Sequence, residues 1–172
     1  MIVLVVSTGR AGSSAVARVL HTKMGISMGT RFRPPDEENP KGFYEDLDFK
    51  DLNEYVLTGR ITFPEFETRI RKLAGLRSGD WGLKDPRLSH LWGIYLSIIP
   101  DARIIITERN PQRVVESCMK QYGWNKANAE RFVYGRVADI KFLRNYGCPV
   151  ISFDEKLSDE NIENFLKENL YA

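Results

Sequence analysis

Cysteine and histidine are scarce in this sequence, with two residues of each type. Cys118 and Cys148 are far apart and form no ligand pair, so nothing requires an oxidising compartment. Nor does the sequence contain a cluster of residues with the spacing of metal ligands. We therefore expect no metal ion in the working protein.

Long hydrophobic runs and a strong net charge are also missing. No stretch approaches the roughly 20 apolar residues of a membrane span, and the apolar start at residues 1–6 lacks the features of a secretory signal. The net charge of +2 is too small to indicate nucleic acid or an anionic membrane as a partner. We find no repeats. The sequence predicts one domain over residues 1–172, with neither of those partners, in the cytoplasm.

What the sequence does contain is an alternation of strand and helix patterns. Short apolar runs predict strands at "IVLVV" (2–6), "WGLKD" (81–85), "RIIIT" (103–107) and "PVISF" (149–153). Between them, helical spacing predicts helices from Ser13, over 48–57, from Pro64, over 88–99, from Asn110-Pro111, over 127–145 and from Ser158. This alternation predicts a three-layer α/β/α fold with a central, mainly parallel sheet.

The turn after the first strand, in "VSTGRAGSSAVARVL" (5–19), has a phosphate-binding pattern. In G-x-x-x-x-G-K-[ST], Gly12 takes the second glycine and Ser14 the hydroxyl. Ser7 replaces the first glycine, Ser13 replaces the lysine, and the positive charge sits at Arg10 instead. A positive charge within the turn suits a nucleotide donor that has a single phosphate next to the group it transfers. The alternative is an ordinary Gly-Ser turn with Arg10 in solvent.

A second candidate lies in "TERNPQRVVESCMKQYG" (107–123), where Arg109 ends a strand and Ser117 follows eight residues later. Open α/β sheets bind ligands at the carboxyl ends of their strands, and a guanidinium suits a phosphate there. The alternative is a strand-end arginine and a small helix residue with no binding role.

Together these segments resemble the sulfotransferases that use 3′-phosphoadenosine 5′-phosphosulfate (PAPS). "GRAGSS" is similar to the loop that binds the 5′-phosphosulfate in that family, and "RNP" with the later serine is similar to its 3′-phosphate site. "NPKGFYED" (39–46), "KDPRLSHLW" (84–92) and "VISFDEKLSD" (150–159) resemble further family segments in the right order. Gly9 stands where proline is usual, which we expect to loosen the loop. No late R-K-G segment is present, and the chain is short for the family.

The resemblance implies a P-loop NTPase-like sulfotransferase fold, PAPS as donor and no metal. Backbone N–H groups would hold the 5′-phosphate, and side chains the 3′-phosphate. The first set is Ala11, Gly12, Ser13 and Ser14, and the second is Arg109 and Ser117. The acceptor would be a hydroxyl or an amine of a small molecule or carbohydrate.

Four side chains are candidates for catalysis. Arg10, and after it Lys84, would stabilise the charge on the bridging oxygen. Glu45, which follows two aromatic residues, is the first candidate for the base; a solvated glutamate opening the next helix is its alternative. His90 is the rival base, although a packed, hydrogen-bonded histidine is the commoner outcome. Asp85 could orient Lys84 or Arg87 instead of transferring protons.

Other segments are less specific. We expect aromatic residues after the second anchor to cover adenine or to pack in the core: Tyr122, Trp124 and Tyr134. The loop at 30–41 could close over an acceptor or be a surface segment. Two other functions stay open, a P-loop kinase of a small molecule and a nucleotide-binding module without catalysis.

Overall fold

Four parallel strands form one sheet in the computed structural model, which describes residues 1–37 and 39–171. In chain order these strands are β1 (Ile2–Ser7), β2 (Trp81–Lys84), β3 (Arg103–Glu108) and β4 (Val150–Ser152). Their order in the sheet is β2-β1-β3-β4. At the centre, Val5 pairs with Lys84 on one side and with Ile105 on the other. The carboxyl ends of β1, β2 and β3 therefore meet at one edge.

Helices fill the connections between the strands. They are α1 (Ser13–Lys23), α2 (Leu47–Leu57), α3 (Phe63–Gly75), α4 (Leu88–Ile98), α5 (Pro111–Tyr122), α6 (Lys126–Asn145) and α7 (Asp159–Leu170). Each predicted helix start and each predicted strand lies within one residue of the observed boundary. The predicted three-layer α/β/α fold with a parallel sheet is confirmed.

Apolar clusters cover both faces of the sheet, because successive residues of a strand point to opposite faces. Val3 and Val5 pack with residues of α1 and α7 on one face. Leu4 and Val6 pack with residues of α2, α3, α4 and α6 on the other. Helix α5 packs on α6 through a third cluster around Val115 and Val133. The sheet is thus buried on both sides, and only its ends are open to a ligand.

The helix starts differ in how their backbone N–H groups are capped. A side-chain oxygen caps α2, α3, α5, α6 and α7; the residues are Asp46, Thr62, Asn110, Asn125 and Ser158. Helix α1 instead follows Gly12, which has left-handed backbone and gives no side-chain cap. The first N–H groups of α1 lack an intrahelical acceptor, and so they remain able to bind an anion.

Among the described residues, no helix combines the length and apolar character that crossing a bilayer requires.

Candidate anion-binding cleft

A cleft of ≈ 430 Å³ opens at the carboxyl ends of β1, β2 and β3. Its cationic lining residues are Arg10, Arg33, Lys50, Lys84, Arg87, Arg109 and Arg136. Glu45 is the one carboxylate that lines it within residues 1–37 and 39–171. Such an excess of positive charge favours a ligand with several negative charges.

The turn after β1 has an unusual backbone. Gly9, Arg10 and Gly12 all have positive φ, at 82°, 55° and 81°. A Cβ on Gly12 would lie 2.2 Å from the ring of Phe153, so only glycine fits there. A proline ring fixes φ near −65°, so this backbone also excludes proline at position 9. The conformation of the turn therefore favours glycine at position 9, and the expected looseness of the loop stays a prediction.

Most backbone N–H groups of this turn have no hydrogen-bond acceptor among the described residues. Gly9 N donates to Ser7 Oγ at 3.1 Å, but residues 10–14 donate no backbone hydrogen bond to the described part of the chain. Arg10, Gly12, Ser13 and Ser14 line the cleft at the positive end of α1, whereas Ala11 is buried and does not belong to the lining. This is the arrangement that binds phosphate and similar anions.

Both sequence segments with predicted phosphate contacts meet in this cleft. Arg10 Nε donates to Ser117 Oγ at 3.1 Å, which joins the turn to α5. Arg109 lines the same cleft, and its buried Nε has no hydrogen-bond partner among the described residues. Buried N–H groups are nearly always paired, so an orphaned guanidinium N–H here is consistent with an anionic ligand.

Lys84 supplies a lysine where the turn's own sequence has none. Its Nζ lies 3.2 Å from Ser14 Oγ and 2.7 Å from Glu45 Oε1, and both charged side chains are almost fully buried. Glu45 follows Tyr44, which has a φ of 55°, a costly conformation for a side chain of that size. The residue that begins the next helix is Asp46, its cap, so the alternative of a solvated, helix-opening Glu45 is wrong.

A buried hydrogen-bond network holds Arg87 at the cleft. Asp85 Oδ1 accepts from the backbone N and the Nη1 of Arg87, at 2.9 Å and 3.2 Å. Asp85 Oδ2 accepts from Asn53, whose amide oxygen accepts from the hydroxyl of Tyr95 at 2.7 Å. Burial raises the pKa of Tyr95 well above its usual range, so it stays a donor. Of the two residues that Asp85 could orient, it contacts Arg87.

Arg136 on α6 also lines the cleft, and we did not predict it. It is buried, its Nη1 donates to Thr8 O at 3.3 Å, and its guanidinium stacks on Phe132 at 3.7 Å from the ring centroid. Burial lowers the pKa of Arg136 to about 10, an effect that Asp85 opposes, so it is charged at neutral pH. The sequence did contain a signal, because Arg136 shares the apolar stripe of α6 with Val133 and Ile140.

His90 lies outside the cleft lining. Its Nδ1 is 2.5 Å from Asp139 Oδ2, and its Nε2 accepts from Arg136 Nε at 3.4 Å. This is the hydrogen-bonded histidine that we gave as the commoner outcome, although its side chain is 36% exposed. Contact with the cleft is made through Arg136, so the geometry gives His90 no direct access to a reacting group there.

Of the three aromatic candidates, two line the cleft and one does not. Tyr122 and Trp124 line the cleft with ring centroids 4.8 Å apart, and Trp124 meets Phe132 at 5.0 Å. Tyr134 is exposed on α6 and does not belong to the lining. Phe132, which we did not predict, completes the aromatic wall.

The predicted loop at 30–41 borders the cleft, and its start is tied to the segment before α2. Phe32 forms an antiparallel bridge with Asp46, and Arg33 N donates to Glu45 O at 3.1 Å. The Arg33 guanidinium lies 3.7 Å from the centroid of the Phe43 ring, and Arg33, Asn39 and Phe43 line the cleft. Position 38 of this loop is outside the described residues.

Comparison with known proteins gives the fold class and no more. No family model matches the chain, and no curated protein matches it. One solved structure with a similar fold is deoxyadenosine kinase from M. mycoides with bound dATP, at a TM-score of 0.52 and 16% sequence identity, covering 100% of each chain. The chain therefore shares the three-layer α/β/α fold with that kinase. At this identity the likeness extends to the fold alone.

Proposed function

We propose that the protein is a sulfotransferase that moves a sulfuryl group from PAPS to a hydroxyl or amine and releases 3′,5′-adenosine bisphosphate. The observation that carries the proposal is the hydrogen bond from Arg10 to Ser117, beside the unpartnered Nε of Arg109. It brings the turn and the second anchor into one cleft. A nucleotide with phosphates at two separate positions would bridge them.

Residues of the cleft suit the parts of this donor. Backbone N–H groups of residues 10–14 would bind the 5′-phosphosulfate. Arg109 and Ser117 would bind the 3′-phosphate, for which Arg109 has an unused, buried Nε donor. Tyr122 and Trp124 offer aromatic faces for adenine.

Glu45 and Lys84 suit the chemistry of transfer. Glu45 Oε1 accepts from Lys84, while Oε2 has no hydrogen bond to the described residues and can take the acceptor's proton. As the acceptor oxygen or nitrogen forms its bond to sulfur, the bond from sulfur to the bridging oxygen breaks. The electron pair stays on that oxygen, and Lys84 or Arg10 stabilises the charge. A preorganised cation of this kind lowers a barrier by about 3–4 kcal/mol.

A P-loop kinase is the second candidate, favoured by the likeness to deoxyadenosine kinase. The approach of Lys84 to Ser14 also suits a kinase, because it restores a lysine beside the turn's hydroxyl. A kinase, however, leaves the pairing of Arg10 with Ser117 and the orphaned Nε of Arg109 without a role. We therefore rank it second.

Calorimetry with two nucleotides tests the proposal. We expect micromolar binding of 3′,5′-adenosine bisphosphate and much weaker binding of Mg-ATP, followed by transfer of radiolabelled sulfate from PAPS to a member of an acceptor panel. Tight Mg-ATP binding with phosphoryl transfer and no bisphosphate binding would establish the kinase. Bisphosphate binding without transfer to any hydroxyl or amine acceptor would favour the non-catalytic module.

A further inference from the structure

Arg136 is a buried cation with no direct ion pair among the described residues. The residue is 8% exposed, and none of the described carboxylates lies within ion-pair distance of it. Within the described part of the chain, its guanidinium donates to Thr8 O and to His90 Nε2. A guanidinium has five N–H donors, so three have no acceptor in residues 1–37 and 39–171. Arginine is rarely buried in this state unless it pairs with an anion.

The position of Arg136 shows which part of a ligand it would meet. A Cβ on Gly9 would lie 3.5 Å from Arg136 Nη1 and 3.7 Å from Pro86. Arg136 thus lies at the start of the turn, beside the segment that follows β2 and Lys84. Arg109 and Ser117, the candidates for the distal phosphate, belong to the β3 side of the sheet. Arg136 contacts the turn itself, through Thr8 O and beside Gly9, so the group that it would meet is the one bound by the turn.

The surroundings of Arg136 hold it rigidly. Phe132, one turn earlier on α6, stacks on the guanidinium at 3.7 Å. Asp139 lies 2.5 Å from His90 Nδ1, so the imidazole N–H donates to the carboxylate and Nε2 is left to accept from Arg136. A cation fixed in this way loses little conformational freedom when it binds an anion.

We propose that Arg136 binds the terminal anionic group of the nucleotide, the group that is transferred, and that Asp139 and His90 position it. The proposal rests on the proposed function for the identity of that group as a sulfuryl. It assigns to α6 a contact that neither the turn nor the second anchor provides. It also gives His90 a role through Arg136 in place of proton transfer.

Calorimetry with PAPS and 3′,5′-adenosine bisphosphate, and with ATP and ADP, tests this proposal. The two members of each pair differ only in the terminal group. The variant is Arg136→Met, and the matched control is Arg131→Met, which removes an exposed arginine from the same helix. For Arg136→Met we expect PAPS affinity to fall at least about 10-fold while bisphosphate affinity changes less than about twofold. Arg136→Lys should fall between Arg136→Met and the wild type, and Arg131→Met should match the wild type.

Other results overturn the proposal. An equal loss of both affinities would make Arg136 a structural residue, and unchanged PAPS affinity in a folded variant would remove the contact. The ATP and ADP pair separates this idea from the proposed function. If the wild type ignores PAPS but Arg136→Met weakens ATP and spares ADP, the sulfotransferase proposal fails and the role of Arg136 stands. A wild type that binds neither pair overturns both.

The positioning role of His90 has its own readout. We expect His90→Ala to reduce the preference for PAPS over the bisphosphate, and His90→Gln, whose amide oxygen can accept from Arg136, to restore most of it. A structural effect alone would lower the melting temperature of His90→Ala and leave that preference unchanged, which would remove His90 from the proposal.

Discussion

Lys84 Nζ and Glu45 Oε1 form a hydrogen-bonded ion pair of 2.7 Å across the base of the cleft. The residues are 39 positions apart in the chain and come from the end of β2 and from the segment before α2. The pair places a base candidate and a cation within reach of the same bound group.

Replacing Glu45 tests that pair. We expect Glu45→Gln to lower kcat for sulfuryl transfer roughly 100-fold or more, because glutamine cannot take a proton, while its amide oxygen still accepts from Lys84. Initial rates with labelled PAPS measure the effect, and bisphosphate affinity should stay within about twofold. Glu168→Gln, an exposed change on α7, is the control. An undiminished kcat would exclude Glu45 as the base.

Arg109 should contribute to nucleotide affinity and not to the stability of the fold. We expect Arg109→Ala to weaken bisphosphate binding about 10- to 100-fold, since a charge-assisted hydrogen bond to the 3′-phosphate is lost. Thermal unfolding without ligand should change little, because Arg109 Nε bonds to nothing in the described chain. Lys120→Ala, an exposed change on α5, should bind normally. Equal affinity in the Arg109 variant would contradict the site assignment.

The turn predicts an unusual response to proline. Gly9→Pro should destabilise the protein by about 3 kcal/mol and abolish nucleotide binding, because the ring cannot adopt a φ of 82° and the N–H bond to Ser7 is lost. Gly9→Ala should cost only about 1 kcal/mol of positive-φ strain, since the nearest atoms to its Cβ are 3.5 Å away or more. Chemical denaturation of both variants measures the difference. A well-folded Gly9→Pro protein that binds nucleotide would show that the turn has another backbone.

Acid should weaken the contact between α1 and α7. Arg18 donates two hydrogen bonds to Asp159, at 2.5 Å and 2.7 Å, and this lowers the pKa of Asp159. A lowered folded-state pKa gives stability that is present above the unfolded value of about 3.9 and is lost as pH falls through the folded value. The unfolding free energy of Asp159→Asn should lie below wild type at pH 6, by less than about 1 kcal/mol for a partly exposed pair. The two should converge near pH 2; a constant gap would contradict this.

In the ligand-free protein, Arg136 should lower the free energy of unfolding. We expect Arg136→Met to raise the unfolding free energy by about 1 kcal/mol, because a packed apolar side chain replaces a buried cation that has no ion pair. Arg18→Met, which breaks a true ion pair, should lower it. Urea titrations without ligand measure both. Destabilisation of Arg136→Met would mean that its stacking on Phe132 and its two hydrogen bonds outweigh the cost of burial.

The sequence predicted most of the fold, because its signals are local. The run at 2–6 and the Asn110-Pro111 helix start depend on neighbouring residues, and both lie where expected. That Arg10, Arg109 and Ser117 share one cleft was predictable, because strand ends converge in a parallel sheet. The ion pair of Glu45 could not be predicted, because its partner comes from a distant strand. The contacts of His90 and Arg136 depend on how α4 and α6 pack, which periodicity does not show.

The missing side-chain cap of α1 has a thermodynamic consequence. A nucleotide anion at Gly12 would take the place that Asp46 or Ser158 fills at the start of another helix, so the ligand becomes the cap. Amide hydrogens at residues 12–14 should then exchange with solvent fastest in the free protein and slow sharply when nucleotide is added. Amide protection at the start of α1 would therefore report whether nucleotide is bound.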